Sequence, residues 1–306
     1  MDLSIIILQH NTRELLRDCL DSIKKTDIFN RASDYTLEVI VSDNGSTDGS
    51  IEMVKEDFPW VKLKENGQNL GFAKGNNAAL PLTTGRYVLF LNSDTQVLPK
   101  TLTEMIRLMD QNQNFGAATC YLELQRTGGL DFNSHRGFPT PWTSLTYFSG
   151  LYKIFPQTRL FGSYYQTYKD LSATHEVDVI EGAFMMVRRE AAEGIALATN
   201  IWWDEDFFFY GEDIDFCYRL KKAGYKIVYY PKVKTTHYKG ATHGFNKQGV
   251  AKLSTEDRRK LVKATTSAMK IFYQKHYQKT YPRWLTSLVF LAIEVLSYVR
   301  NLKRGI

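Results

Sequence analysis

The first 120 residues alternate short apolar runs with helix-periodic segments, and no other feature restricts the fold as much. Residues 3–8 (LSIIIL), 37–42 (LEVIVS), 61–63 (VKL), 86–92 (RYVLFLN) and 116–121 (GAATCY) read as strands. Between them, residues 12–25, 47–58 and 73–80 and the stretch after Pro99 read as helices, the first through Leu15, Leu16, Cys19, Leu20 and Ile23. Strands and helices joined by short connections predict βαβ units: an α/β, Rossmann-like, mainly parallel sheet flanked by helices. Runs that are apolar throughout predict strands buried on both faces. The rhythm breaks over residues 126–178, which are rich in Gly, Pro, Ser and aromatic residues without a period. So many rings predict an ordered excursion, not a linker. Regular structure resumes at 177–190 (VDVIEGAFMMVRRE), a helix over 212–223 stopped by Gly224, and a strand over 225–231; the tail from about 250 reads as mostly helical.

In an open parallel sheet, ligands bind outside the carboxyl ends of the strands. Those ends carry polar clusters here: Gln9-His10-Asn11, then Asp43-Asn44 opening DNGSTDGS, then Asn69 to Asn77 (NLGFAKGNN), then Asn92-Ser93-Asp94. Each alone reads as a turn or helix cap. Four on one edge point to a binding cleft. There is no GxGxxG in the first turn, no Walker A sequence, no GxSxG elbow and no paired Cys/His zinc spacing. A last feature is FFFYGEDIDFCYRL, residues 207–220, where Glu212, Asp213 and Asp215 fall within four positions behind four aromatics and a glycine. Acids in a first helical turn suit the helix dipole; clustered like charges in a water-poor setting also suit proton transfer.

Taken together, SIIILQHN, VIVSDNGSTDGS, NLGFAKGNN, LFLNSDT, EGAFMMVRRE, FFFYGEDIDFCYRL and THYKG resemble glycosyltransferase family 2, with the inverting GT-A fold, over roughly residues 1–245. Within it the pattern looks most like bacterial rhamnosyltransferase-like members that build cell-surface polysaccharides. The resemblance implies a hexosyltransferase that moves a sugar, rhamnose among the candidates, from a UDP- or dTDP-sugar to a saccharide or polyprenyl-linked acceptor. It implies a nucleotide-sugar-binding half over 1–120, an acceptor-binding and catalytic half over 121–245, and a helical extension over 246–306. Asp43 would bind the base, with Gln9 and Asn11 beside it. Asn69, Gly71, Gly75 and Asn76 would let backbone approach the donor. Asn92-Ser93-Asp94 stands where the family carries DxD, with a neutral Asn first, so Asp94 and His237 would hold a divalent cation, Mn²⁺ or Mg²⁺. Asp213 would be the general base of a single displacement, tuned by Glu212. Glu181, Phe209, Tyr210 and Arg189 would border the acceptor. The readings from other classes are a non-catalytic nucleotide-sugar-binding module and a sugar nucleotidyltransferase, although LQHNTRELL lacks that chemistry's glycine-rich loop.

Bulk properties agree with this. A formal charge of +6 suits anionic substrates or an anionic membrane surface, and nothing in the pattern points to nucleic acid. Three scattered cysteines make no disulfide framework and predict a reducing compartment. The start lacks a signal peptide's basic region and long apolar run. Residues 284–304 (WLTSLVFLAIEVLSYVRNLKR) hold a 16-residue apolar stretch containing Glu294, shorter than a spanning helix, followed by Arg and Lys. That composition predicts an interfacial helix, placing the protein in the cytoplasm, peripheral at the inner face of the membrane; packing on the catalytic domain or in a homodimer is the alternative.

Overall fold

The computed structural model describes residues 1–239 and 255–303. Its elements run β1 (Leu3–Gln9), α1 (Arg13–Lys24), β2 (Leu37–Asp43), α2 (Ser50–Asp57), β3 (Lys62–Glu65), α3 (Gly71–Ala79), β4 (Tyr87–Asn92), β5 (Thr95–Val97), α4 (Thr101–Gln111) and β6 (Phe115–Leu124). There follow α5 (Pro141–Phe148), α6 (Leu151–Ile154), β7 (His175–Val177), β8 (Phe184–Arg188), α7 (Arg189–Gly194), α8 (Glu212–Lys222), β9 (Lys226–His237), α9 (Thr255–His276) and α10 (Arg283–Lys303). The expected boundary between residues 245 and 246 lies outside the described residues.

Among the described residues, nine strands join one sheet in the order β3-β2-β1-β4-β8-β6-β9-β5, with β7 also paired to β9. The α/β sheet is as expected, and its first four strands are parallel. Beyond them it is mixed, because β8 runs antiparallel to both β4 and β6. β8 returns from the long excursion instead of through a helical crossover, so the crossover rule that enforces parallel pairing does not act on it. β1 shows why uninterrupted apolar runs were needed. Leu3, Ile5 and Ile7 pack with Leu16, Leu20 and Met105 on one face, while Ile6 packs with Ala73, Trp203 and Phe216 on the other. All four β1 side chains are fully buried.

β9 runs past Pro231, where the sequence suggested an end. Its pairing with β6 jumps from Cys120↔Tyr230 to Tyr121↔Lys234. A bulge there absorbs a residue that cannot donate to the ladder, and the strand continues to His237. The three cysteines are free and buried, and burial pushes each thiol up to about 12, so they act as packing residues. A third apolar cluster joins α9 to the acidic stretch through Phe207, Ala268, Phe272, Tyr273 and Tyr277.

Candidate active site

Strand register builds one wall of the site. Gln9 pairs opposite Asp43, and Leu8 opposite Asn92, so three of the polar clusters stand side by side. Gln9 donates its amide to the Asp43 carboxylate and to Ser46 Oγ at 2.7 Å. The Ser46 amide N–H donates to Asp43 Oδ1 at 2.8 Å. Asn11, in the left-handed region at φ 52°, donates its backbone N–H to Ser46 Oγ and accepts from the Thr47 N–H. Asp43 is therefore a nearly enclosed anchor of this turn, whereas Gln9, Thr12 and Asn44 face the cleft.

The turn before α3 is fixed by close approach. Asn69 accepts from the Gly71 N–H at 3.0 Å. Gly71 has φ +78°, and a Cβ there would stand 2.5 Å from the Phe208 carbonyl oxygen. That carbonyl accepts from the Phe72 N–H, which ties this turn to the acidic aromatic loop. Asn69 and Gly71 line the cleft. Gly75 and Asn76 lie behind it: a Cβ on Gly75 would meet Leu8 Cδ1 at 2.5 Å, and Asn76 donates back to the Phe72 carbonyl within α3.

At the end of β4, Ser93 shares a hydrogen bond with Thr12, 3.0 Å between the hydroxyl oxygens. Asp94 follows, 1% exposed, with neither carboxylate oxygen accepting a hydrogen bond. The antiparallel pairing of Thr95 with His237 brings the histidine beside it. His237 Nε2 lies 3.4 Å from Asp94 Oδ1, a charge contact without hydrogen-bond alignment, and Nδ1 lies 3.0 Å from Asp131 Oδ2. Lys239 holds the other Asp131 oxygen. Burial opposes the charge on Asp131, yet His237 and Lys239 keep its carboxyl well below the usual range. Burial likewise opposes the imidazolium, but its carboxylate partners raise His237 to about 10. Ligand atoms of Asp131, Glu181 and His237 lie within 4.8 Å of one another. A buried carboxylate without donors, beside a histidine oriented through its far nitrogen by a second carboxylate, fits a divalent cation.

Gly211, φ +91°, precedes and caps α8, whose first turn divides the three acids. Glu212 and Asp213 line the cleft with Phe209 and Tyr210. Asp215 turns away, pairing with Arg219 at 2.8 Å and with His276 of α9 at 2.7 Å. Asp213 is ion-paired to Arg136, whose Nε also donates to the Asn133 carbonyl at 2.8 Å. Glu212 keeps one buried carboxylate oxygen without a partner. Burial first, and the neighbouring Asp213 charge second, raise its carboxyl well above the ordinary range. Glu181, also lining the cleft, is raised by burial and by the Asp131 charge. A carboxyl with a raised folded-state pKa destabilises the fold as pH climbs above its unfolded value. Glu212→Gln is therefore expected to raise the thermal midpoint at pH 8 more than at pH 5 while reducing turnover, as melts at both pH values will check.

Arg189 is not part of this arrangement. It donates to the Gly85 carbonyl at 2.6 Å and to Thr83 Oγ1 at 2.9 Å, and stacks on Trp202. Those partners precede β4, so Arg189 sits at the amino end of the sheet, opposite the cleft. Its place at the end of antiparallel β8 explains this: reversing the strand sends that end away from the site. Arg188 is likewise committed, to the Phe115, Met109 and Asn112 carbonyls. Arg189→Ala is expected to cost about 1–2 kcal/mol of stability and to leave the KM for acceptor unchanged, measured by denaturant unfolding and steady-state kinetics.

The cleft encloses about 1070 Å³. Gln9, Asn44, Ser93, Glu212 and Asp213 line it together with residues of α5, α9 and α10. Arg136, which lines the cleft, and Asp131, which holds His237, come from the excursion and carry no periodic signal; the one hint was their neighbourhood of Asn, Ser and His residues in DFNSHR.

The profile of Glycosyl transferase family 2 matches residues 4–195. The chain belongs to that family. Among its curated relatives is the N-acetylglucosaminyl-diphospho-decaprenol L-rhamnosyltransferase of Mycobacterium tuberculosis, 27% identical over 224 residues, 70% of each chain. The Escherichia coli rhamnosyltransferase WbbL is 25% identical over 243 residues, 76% of this chain and 82% of that one. A solved mannosyltransferase from Pyrobaculum calidifontis, in complex with GDP-Man and Mn²⁺, superimposes with a TM-score of 0.57 at 18% identity, covering 99% of this chain and 71% of the other. As a family 2 member with the GT-A fold, the chain is a glycosyltransferase of rhamnosyltransferase-like kinship.

Proposed function

We propose that this glycosyltransferase inverts the anomeric centre, moving a sugar, with rhamnose the leading candidate, from a UDP- or dTDP-sugar to a saccharide on a polyprenyl-linked carrier. The observation that carries the reading is a single cleft lined both by Gln9, Asn44 and Ser93 and by Glu212 and Asp213. The M. tuberculosis relative's name, with rhamnose and a lipid diphosphate in it, supports donor and acceptor class. Residues 1–120 serve as the nucleotide half and the following residues as the acceptor half.

On this reading the base and ribose rest against Gln9, Asn44 and Asn69, over the turn that Asp43 anchors. Asp94 and His237 would hold a Mn²⁺ or Mg²⁺ ion, with Asp131 orienting the imidazole and Glu181 beside it. When bound, the ion would neutralise the diphosphate leaving group. Asp213 accepts the acceptor hydroxyl's proton. Arg136 holds that carboxylate in place until the acceptor arrives. Glu212 contacts the incoming sugar beside Asp213, and Phe209 and Tyr210 exclude water. The protein works at the inner face of the membrane.

The test is nucleoside diphosphate release across a panel of UDP-, dTDP- and GDP-sugars, with Mn²⁺ or Mg²⁺ and a lipid-linked saccharide mixture. Release from one donor, dependent on acceptor, is expected. Tight binding without release would favour a binding module, and pyrophosphate release a nucleotidyltransferase.

A further inference from the structure

Most large hydrophobic side chains that stand exposed among the described residues fall on two segments far apart in sequence. On α10, Trp284, Leu288, Leu291, Val295, Tyr298 and Leu302 are each more than half exposed. Their spacing alternates four and three residues, so they form one continuous stripe along the helix. The other side of α10 is occupied: Ile293 is buried, and Val289 and Phe290 pack against the cluster around Phe272 and Tyr273. The helix has the length and apolarity to cross a membrane, longer than the 16 apolar residues suggest, because it extends from Arg283 to Lys303. The second segment is α5, α6 and the turn after them, exposing Trp142, Leu145, Phe148, Ile154, Phe155 and Leu160.

These segments meet. The Arg300 guanidinium of α10 stands 6 Å, to the nearest ångström, from the Phe148 ring centroid (5.9 Å). Leu145 and Phe148 line the same cleft as Leu288, Leu291, Val295 and Val299, and that cleft reaches Glu212 and Asp213. We propose that α5–α6 and α10 form one docking face that seats the mouth of the cleft on an anionic lipid leaflet, so that the acceptor's lipid chain enters between α5 and α10. Two observations select a leaflet over a second copy of the chain. Trp284 and Tyr298 are rings with a polar tip, suited to the headgroup boundary. Lys153, Arg159 and Arg283 stand exposed beside the apolar patch, complementary to anionic headgroups. The route for the lipid chain rests on the lipid-linked acceptor proposed above; the docking face does not.

The experiment is co-sedimentation of the full chain with vesicles of phosphatidylglycerol in phosphatidylcholine, and of phosphatidylcholine alone. The protein is expected to bind the anionic vesicles, more weakly as salt rises. Leu145→Ser with Phe148→Ser, and separately Leu291→Ser with Val295→Ser, are each expected to weaken binding by about tenfold or more. Leu197→Ser, exposed elsewhere, leaves it unchanged. Nucleotide-sugar binding without vesicles stays at the wild-type value in every variant, which separates this outcome from failure of the transfer reading and from misfolding. Loss confined to the α10 pair would overturn the two-segment face. A dimer in sedimentation velocity that the α10 pair dissolves, with no vesicle binding by the wild type, would assign the stripe to a second copy instead.

Discussion

Asp213→Asn is expected to lower kcat by about 10²- to 10⁴-fold, the usual worth of a positioned general base. Donor affinity should stay within about twofold, since an effect confined to the transition state appears in kcat and not in binding. The substitution keeps shape and removes only charge and basicity. It also releases Arg136 from its ion pair. A buried guanidinium without its carboxylate is costly, so the melt should fall by about 3–5 kcal/mol in stability at most, and Arg136→Gln/Asp213→Asn should recover part of it. Nucleoside diphosphate release and donor titration on the same preparations separate the chemical effect from the structural one. Equal losses in donor binding and turnover would mean that Asp213 supports the cleft without acting on the acceptor.

Asp94→Ala is expected to reduce turnover by at least about 100-fold at any Mn²⁺ concentration. Donor affinity measured with Mn²⁺ should fall to the value measured with chelator present, while the chelator value stays the same as wild type. Stability should change little, because among the described residues Asp94 accepts no hydrogen bond and meets one ion-pair partner, His237 at 3.4 Å. Removing a buried carboxylate that lacks donors leaves no partner stranded except that imidazole. Donor titration with and without Mn²⁺ checks the prediction, and a metal response equal to wild type would move the cation away from Asp94.

β1, β2 and β4 were legible because each carries a long apolar run joined by a short helix, and burial on both faces demands that pattern, whereas β3 (KLKE) is a half-exposed edge strand. The polar edge was legible for the same reason: parallel strands in register bring Gln9, Asp43 and Asn92 together wherever the runs end. The second half was less so. β8 is apolar, but its direction depends on how the excursion returns, and that direction sends Arg189 to the far end of the sheet. The excursion shows no single period because short helices and turns hold it together through side chains, with Tyr147 packed against Tyr152, Tyr164 and Tyr165. Thr140 and Pro141 did carry the signature of a helix start for α5, with Thr140 capping the Thr143 N–H. Nothing local announced that Arg136 would reach Asp213 across 77 residues, or Asp131 reach His237 across 106. Of the three acids in one turn, helical geometry alone separates Asp215, facing α9, from Glu212 and Asp213, facing the cleft.

The stereochemistry of a single turnover tests the central claim most directly. With the productive donor from the panel, the anomeric configuration of the new linkage is read by NMR on product isolated at early times. One displacement assisted by Asp213 predicts the configuration opposite to that of the donor. Retention of the donor's configuration would require two displacements or attack on the leaving-group side, and would contradict Asp213 as the base of a one-step transfer.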